Sequence, residues 1–121
     1  MDQAAAKALS EDLVVDITTI GRNSGEARKI EIWIHEVEGR YYITGSPGTR
    51  SWYSNLLKDP ALTVHLKKSH TADLSARAIA ISGREQKQAL FQSAKALSNN
   101  INDENIEEWL AKSPLVEIIF D

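Results

Sequence analysis

Two runs of strict alternation constrain the fold more than any other feature of the chain. "KIEIWIH" (29–35) sets Ile30, Ile32 and Ile34 on one face and Glu31, Trp33 and His35 on the other. "ALTVHLK" (61–67) sets Leu62, Val64 and Leu66 against Thr63, His65 and Lys67. A period of two defines strands with one face in a core and one toward water. Each run has a β-rich neighbour across a short turn, Val14–Ile20 before the first and "LSARAIAI" (74–81) after the second. Connections this short make hairpins, so an antiparallel sheet is expected rather than repeated βαβ units.

The rest of the chain supplies one more hairpin and the cover. "EVEGR" turns into the strand "YYITGS". Pro47 and Gly48 break it, and the pairs Trp52/Leu56 and Tyr53/Leu57 suit a short helix that Pro60 stops at Asp59. Ala5, Leu9 and Leu13 mark an N-terminal helix over 3–13. Ala76, Ala78 and Ala80 predict close approach of another element. Ser82 and Glu85 have capping-box spacing ahead of the stripe Leu90, Ala94, Leu97, Ile101, predicting a helix over about 83–98. A further helix opens near Asn102 or Asp103 with Ile106, Trp109 and Leu110 inward, ends by Pro114, and leads to the closing strand "LVEIIF". Helix, three strands, helix, two strands, two helices, one strand is α+β. A small antiparallel split barrel is its economical form, because closure removes exposed edges. With no repeat or composition break, residues 1–121 read as one domain.

Composition sets limits on function. A 121-residue chain with 42% hydrophobic and 26% charged residues is in the globular range. A net charge of −3 argues against a broad nucleic-acid surface. The absence of cysteine removes disulfides, thiolate metal sites and a cysteine nucleophile, so redox chemistry would need a cofactor. The start "MDQAAAKALSEDL" lacks the basic and apolar regions of a signal peptide, and a soluble cytoplasmic protein without a membrane span is expected.

Against that acidic background, the turn "GRNSGEARK" gathers Arg22, Arg28 and Lys29 around Asn23, Ser24 and Gly25. One reading is solvated charge beside Glu26 and Glu31. The sharper reading is an anion site, with Ser24 and backbone N–H groups adding directional bonds. A second donor set lies at Gly48, Thr49, Arg50 and Ser51, at the start of the short helix. No Walker loop or dinucleotide fingerprint is present. His35, His65 and His70 stand singly, without metal-ligand spacing, and are expected at the surface. No nucleophile elbow occurs. Glu107 and Glu108 read as solvated charge, and Trp52 and Trp109 read first as core.

"TTIGRNSGEAR", "YYITGSPG", "SWYSNLLKDPALTV" and "DLSARAI", in this order and at these intervals, resemble the deazaflavin-dependent nitroreductase and quinone reductase family. The resemblance runs from about Asp16 to Ile81 and more weakly to the last strand. It implies a split β-barrel, often homodimeric, that binds reduced 8-hydroxy-5-deazaflavin and passes hydride to a quinone, nitroaromatic or other activated acceptor. Position by position, it assigns Arg22, Ser24 and Arg28 to the phosphate-bearing tail of the cofactor. Ser46 and Gly48 fall to the loop beside the ring, and Trp52, Tyr53 and Asn55 to the "WY-x-N-L" block. Lys29 joins the site on charge alone, and Arg50 as a replacement for the cation that relatives carry where this chain has Pro47. Asn100, Asp103 and Ile106 stand roughly where the well-known nitroreductases have tyrosines. FMN is the alternative cofactor, and a non-catalytic flavin or deazaflavin carrier the alternative role; no catalytic residue or metal site is assigned.

Overall fold

A computed structural model describes residues 1–93 and 100–121. Its order is α1 (Gln3–Glu11), β1 (Val14–Ile20), β2 (Ala27–Trp33), β3 (His35–Val37), β4 (Arg40–Thr44), α2 (Ser51–Lys58), β5 (Ala61–Lys67), β6 (Thr71–Ala80), α3 (Arg84–Ser93), α4 (Ile106–Lys112) and β7 (Leu115–Phe120). All seven strands form one antiparallel sheet in the order β2-β1-β5-β6-β7-β4-β3. Its two outermost strands are consecutive in sequence, joined through Ile34 alone. Two virtual bonds span at most about 7.6 Å, so the edges must meet at that corner and the sheet must curl. The result is an α+β split barrel.

The inward faces follow the period of two. Val15, Ile17, Ile43 and Val64 have no exposed surface and fill the barrel with Leu62, Leu66 and Val116. α1 closes one opening with Ala5, Ala8 and Leu9, and the Asp2 carboxylate caps it by accepting the Ala5 N–H at 2.8 Å. A second cluster, Leu90, Phe91, Trp109, Leu110 and Leu115, forms under α3 and α4. Trp52 and Trp109 are both core residues.

The turns have local causes. Gly25 takes φ +72°, as the basic turn requires, and its N–H donates to the Gly21 carbonyl at 2.8 Å. Glu38 and Gly39 form the two-residue loop between Val37 and Arg40, both with positive φ (52° and 80°), as in a type I′ hairpin.

Several expectations are corrected. The expected single strand through "KIEIWIH" is two strands, because Ile34 turns inward at the sheet corner. β2 is consequently open to solvent, with Trp33 48% exposed, and the expected half-burial fails for most of it. His35, expected at the surface, follows Ile34 inward and is 5% exposed. Leu13 does not join the α1 face: Asp12 is extended and ends the helix, and the Leu13 carbonyl instead accepts the Ile34 N–H. α3 begins at Arg84 with the Gly83 carbonyl accepting the Lys87 N–H, so the helix starts one residue too late for the Ser82/Glu85 capping box. Ala94 and Leu97 of the expected stripe lie outside the described residues. α4 opens later than expected, at Ile106, because Asn102 and Asn105 bond each other's backbone N–H groups in the preceding turn.

Candidate functional site

α2 divides two clefts. On one side Arg22, Ser24, Arg28, Lys29, Trp52 and Asn55 line a cleft of about 350 Å³, together with Thr19 and Ser51. Six of the ten site residues expected from the sequence therefore converge. No described residue lining this cleft is acidic.

The basic turn is clamped to α2. Asn55, 3% exposed, accepts the Arg22 backbone N–H at 3.1 Å and the Arg22 Nη1 at 3.0 Å, and its Nδ2 donates to Thr19 Oγ1 at 3.1 Å. Lys58 Nζ donates to the Arg22 carbonyl at 2.6 Å. One guanidinium nitrogen is thereby fixed while most of its five donors stay free. Asn55 thus acts as a support for the turn, its side chain already engaged with the protein.

Ser24 Oγ accepts the Glu26 N–H at 3.1 Å and Arg28 Nη2 at 3.4 Å, which leaves its O–H free to donate into the cleft. The turn approaches itself closely: a Cβ at Gly21 would lie 2.7 Å from Ser24 Oγ. Arg28 meets Glu26 at 3.5 Å with both side chains more than half exposed, and Lys29, itself largely exposed, meets Asp16 only at 4.0 Å, so both pairings are weak. An incoming anion competes easily with such partners.

Gly48, Arg50 and Tyr53 line a different cleft, of about 790 Å³, between the 45–50 loop, α2 and the ends of α3 and α4. Ser46 lines neither cleft; its carbonyl accepts Arg50 Nη2 at 3.0 Å, and Arg50 Nη1 donates to the Thr49 carbonyl at 2.9 Å. The consecutive residues Arg50 and Ser51 face different clefts, so the spaces adjoin across the first turn of α2. The second cleft also holds Arg84, Lys87, Lys112 and Ser113. Nothing in the sequence pattern singles these four out: Arg84 and Lys87 read as helix surface, and only the packing of α3 on α4 turns Lys87 inward.

Among the described residues, no group of three or more His, Cys, Asp or Glu is placed to hold a metal. No described helix is long and apolar enough to cross a membrane.

Residues 4–108 match the family described as F420H(2)-dependent quinone reductase. The chain belongs to that family and is an oxidoreductase of the deazaflavin-dependent class. A search of curated proteins finds no match. Among solved structures, a conserved hypothetical protein from Mycobacterium tuberculosis aligns at TM-score 0.76 and 18% identity, covering 99% of this chain and 81% of that one. A structure described as an F420-H2 dependent reductase aligns at TM-score 0.66 and 21% identity, covering 88% of this chain and 94% of that one. A putative pyridoxamine 5'-phosphate oxidase from Listeria innocua aligns at TM-score 0.72 and 10% identity, covering 97% and 90%. These likenesses support the split-barrel fold.

Proposed function

We propose that the 350 Å³ cleft holds the anionic tail of the reduced deazaflavin coenzyme, with Arg22, Arg28, Lys29 and Ser24 on its phosphate. The observation that carries this reading is the convergence of three cations and a free serine hydroxyl on a cleft without an acidic lining residue, in a chain of net charge −3. The donor set fits the group: guanidinium forks and a hydroxyl match phosphate oxygens, and the first N–H groups of α2 lie alongside at Ser51 and Trp52. The cleft is too small for a three-ring system as well. The ring would extend past Ser51 over the loop that carries Ser46, Gly48 and Arg50, toward the larger cleft and Tyr53.

When bound, the reduced coenzyme supplies a hydride. The chain's own work is to orient it and to shield it. Trp52, 7% exposed, gives the first cleft an apolar wall, and its ring meets Tyr53 edge-on at 5.9 Å and 82°, so each cleft has an aromatic side backed by the other. A rigid wall of this kind favours a fixed approach distance between cofactor and acceptor. The acceptor belongs to the quinones, nitroaromatics or other activated double bonds.

Residues 1–121 would act as one cofactor-binding domain, in the cytoplasm, as a homodimer. Trp33, a large apolar side chain 48% exposed on β2, supports an interface between copies. The test of the main reading is a pair of titrations of the purified chain, with reduced deazaflavin and with FMN, followed by turnover with menadione. Binding of deazaflavin with menadione-dependent oxidation supports it. Tight FMN binding alone, or deazaflavin binding without turnover against a broad acceptor panel, overturns it in favour of an FMN enzyme or a carrier.

A further inference from the structure

The larger cleft has a charge balance that its size and family role do not require. Arg50, Arg84, Lys87 and Lys112 all line it, and no described lining residue is acidic. Arg84 is neutralised from outside by Glu107, in a two-pronged pair at 2.8 and 2.6 Å. The other three have no carboxylate partner among the described residues.

Lys87 is the most telling of them. It is 7% exposed, and its ammonium donates to two carbonyls, Ser113 at 2.9 Å and Leu110 at 3.2 Å. An ammonium has three donors, so one remains. Burial pushes its pKa down, the direction expected for a cation without a counter-charge. Beside it, Ser113 is 2% exposed and its Oγ has no hydrogen-bond partner among the described residues. Buried polar groups are normally satisfied, and an ammonium with a spare donor next to an idle hydroxyl is an unfinished site. Tyr53, Leu57 and Leu110 give the lining its large apolar side chains, alongside the hydroxyls of Thr49, Ser54 and Ser82, and Leu57 is 59% exposed.

We propose that this cleft selects acceptors that carry an acidic group on a flat apolar body, the body lying on Tyr53 and Leu57 and the acidic oxygen held by Lys87 with Arg50 and Lys112 around it. Ser113 Oγ would complete the inner contacts. The proposal rests on the deazaflavin reading for the acceptor's role, but the charge selectivity can be measured without the cofactor.

The probes are 2-hydroxy-1,4-naphthoquinone, an enolate at neutral pH, and 2-methoxy-1,4-naphthoquinone, its neutral ether on the same rings. Each is titrated calorimetrically into the cofactor-free chain and into the Lys87→Met and Lys112→Gln variants. The enolate is expected to bind the unaltered chain at least ten-fold more tightly than the ether. Each variant should lose most of that preference while its affinity for the ether stays within about two-fold. Equal binding of the two quinones, or variants that weaken both alike, would overturn the proposal. Circular dichroism checks that Lys87→Met folds; if it does not, Lys112→Gln, altered at an exposed side chain, decides the matter by the same comparison. Deazaflavin affinity is measured separately with Arg28→Ala, so failure of the tail site and failure of the acidic-acceptor site give different results.

Discussion

Asn55 holds Arg22 by two of its N–H groups at once, the backbone one at 3.1 Å and Nη1 at 3.0 Å, from a side chain that is itself buried. A helix residue thereby sets the direction of a cation in a turn 33 positions away. Replacing it by leucine removes three hydrogen bonds and leaves the Thr19 hydroxyl, 2% exposed, without its donor. Asn55→Leu is expected to lower stability by about 2–4 kcal/mol in urea denaturation, since stranded buried polar groups cost more than the bonds themselves. Deazaflavin affinity should fall with it, because the turn loses its anchor to α2.

Arg28→Ala removes a cation whose partner, Glu26, is itself exposed. Stability should change by less than about 0.5 kcal/mol. Deazaflavin affinity should fall roughly fivefold to hundredfold, the value of one charge-assisted bond to phosphate of about 1–3 kcal/mol. Fluorescence titration at low and high salt checks both the loss and its electrostatic origin.

His35 predicts the acid limb of stability. Burial holds its pKa below the ordinary 6.5. The unfolded chain takes up a proton near 6.5 while the folded one resists, so the unfolded state binds more protons in the window below 6.5. Stability is therefore fully present above 6.5 and is lost as pH falls toward the lowered folded value, with a slope of at most about 1.4 kcal/mol per pH unit from this group. Urea midpoints measured across this range should show the slope, and His35→Gln should reduce it whatever its effect on absolute stability.

Glu38 occupies the left-handed region at φ +52° without glycine's freedom. Asparagine tolerates that region better in a type I′ loop, so Glu38→Asn is expected to stabilise the fold by roughly 0.5–1 kcal/mol. A rise in thermal midpoint of a few degrees, with no change in deazaflavin affinity, is the expected measurement.

Much of this architecture was readable because its causes are local. The β-rich run of β1, the alternation in β5 and the glycine at position 25 each act within a few residues, and the structure places them as the sequence suggests. The cationic turn was legible as well, since three cations in an acidic chain are conspicuous. What escaped was set by tertiary contact. The break at Ile34, and with it the burial of His35, follows from where the sheet edges meet rather than from any breaker residue. Asn55 belongs to the block the resemblance gives to the cofactor, and its bonds to Arg22 and Thr19 are contacts that no local pattern announces. Lys87 looks like any surface lysine until α4 packs over it. The division of the expected site by α2 was equally hidden, because Trp52 and Tyr53 are neighbours in sequence and belong to different clefts.

The single residue between β2 and β3 has one further effect. Had β2 slid by one position along β1, it would have pulled β3 out of step with β4 at the opposite margin of the sheet. Misalignment on either side is thus penalised twice. A short covalent tether serves as a mutual check on both margins, and it keeps the cations at the far end of β2 at a constant height above α2.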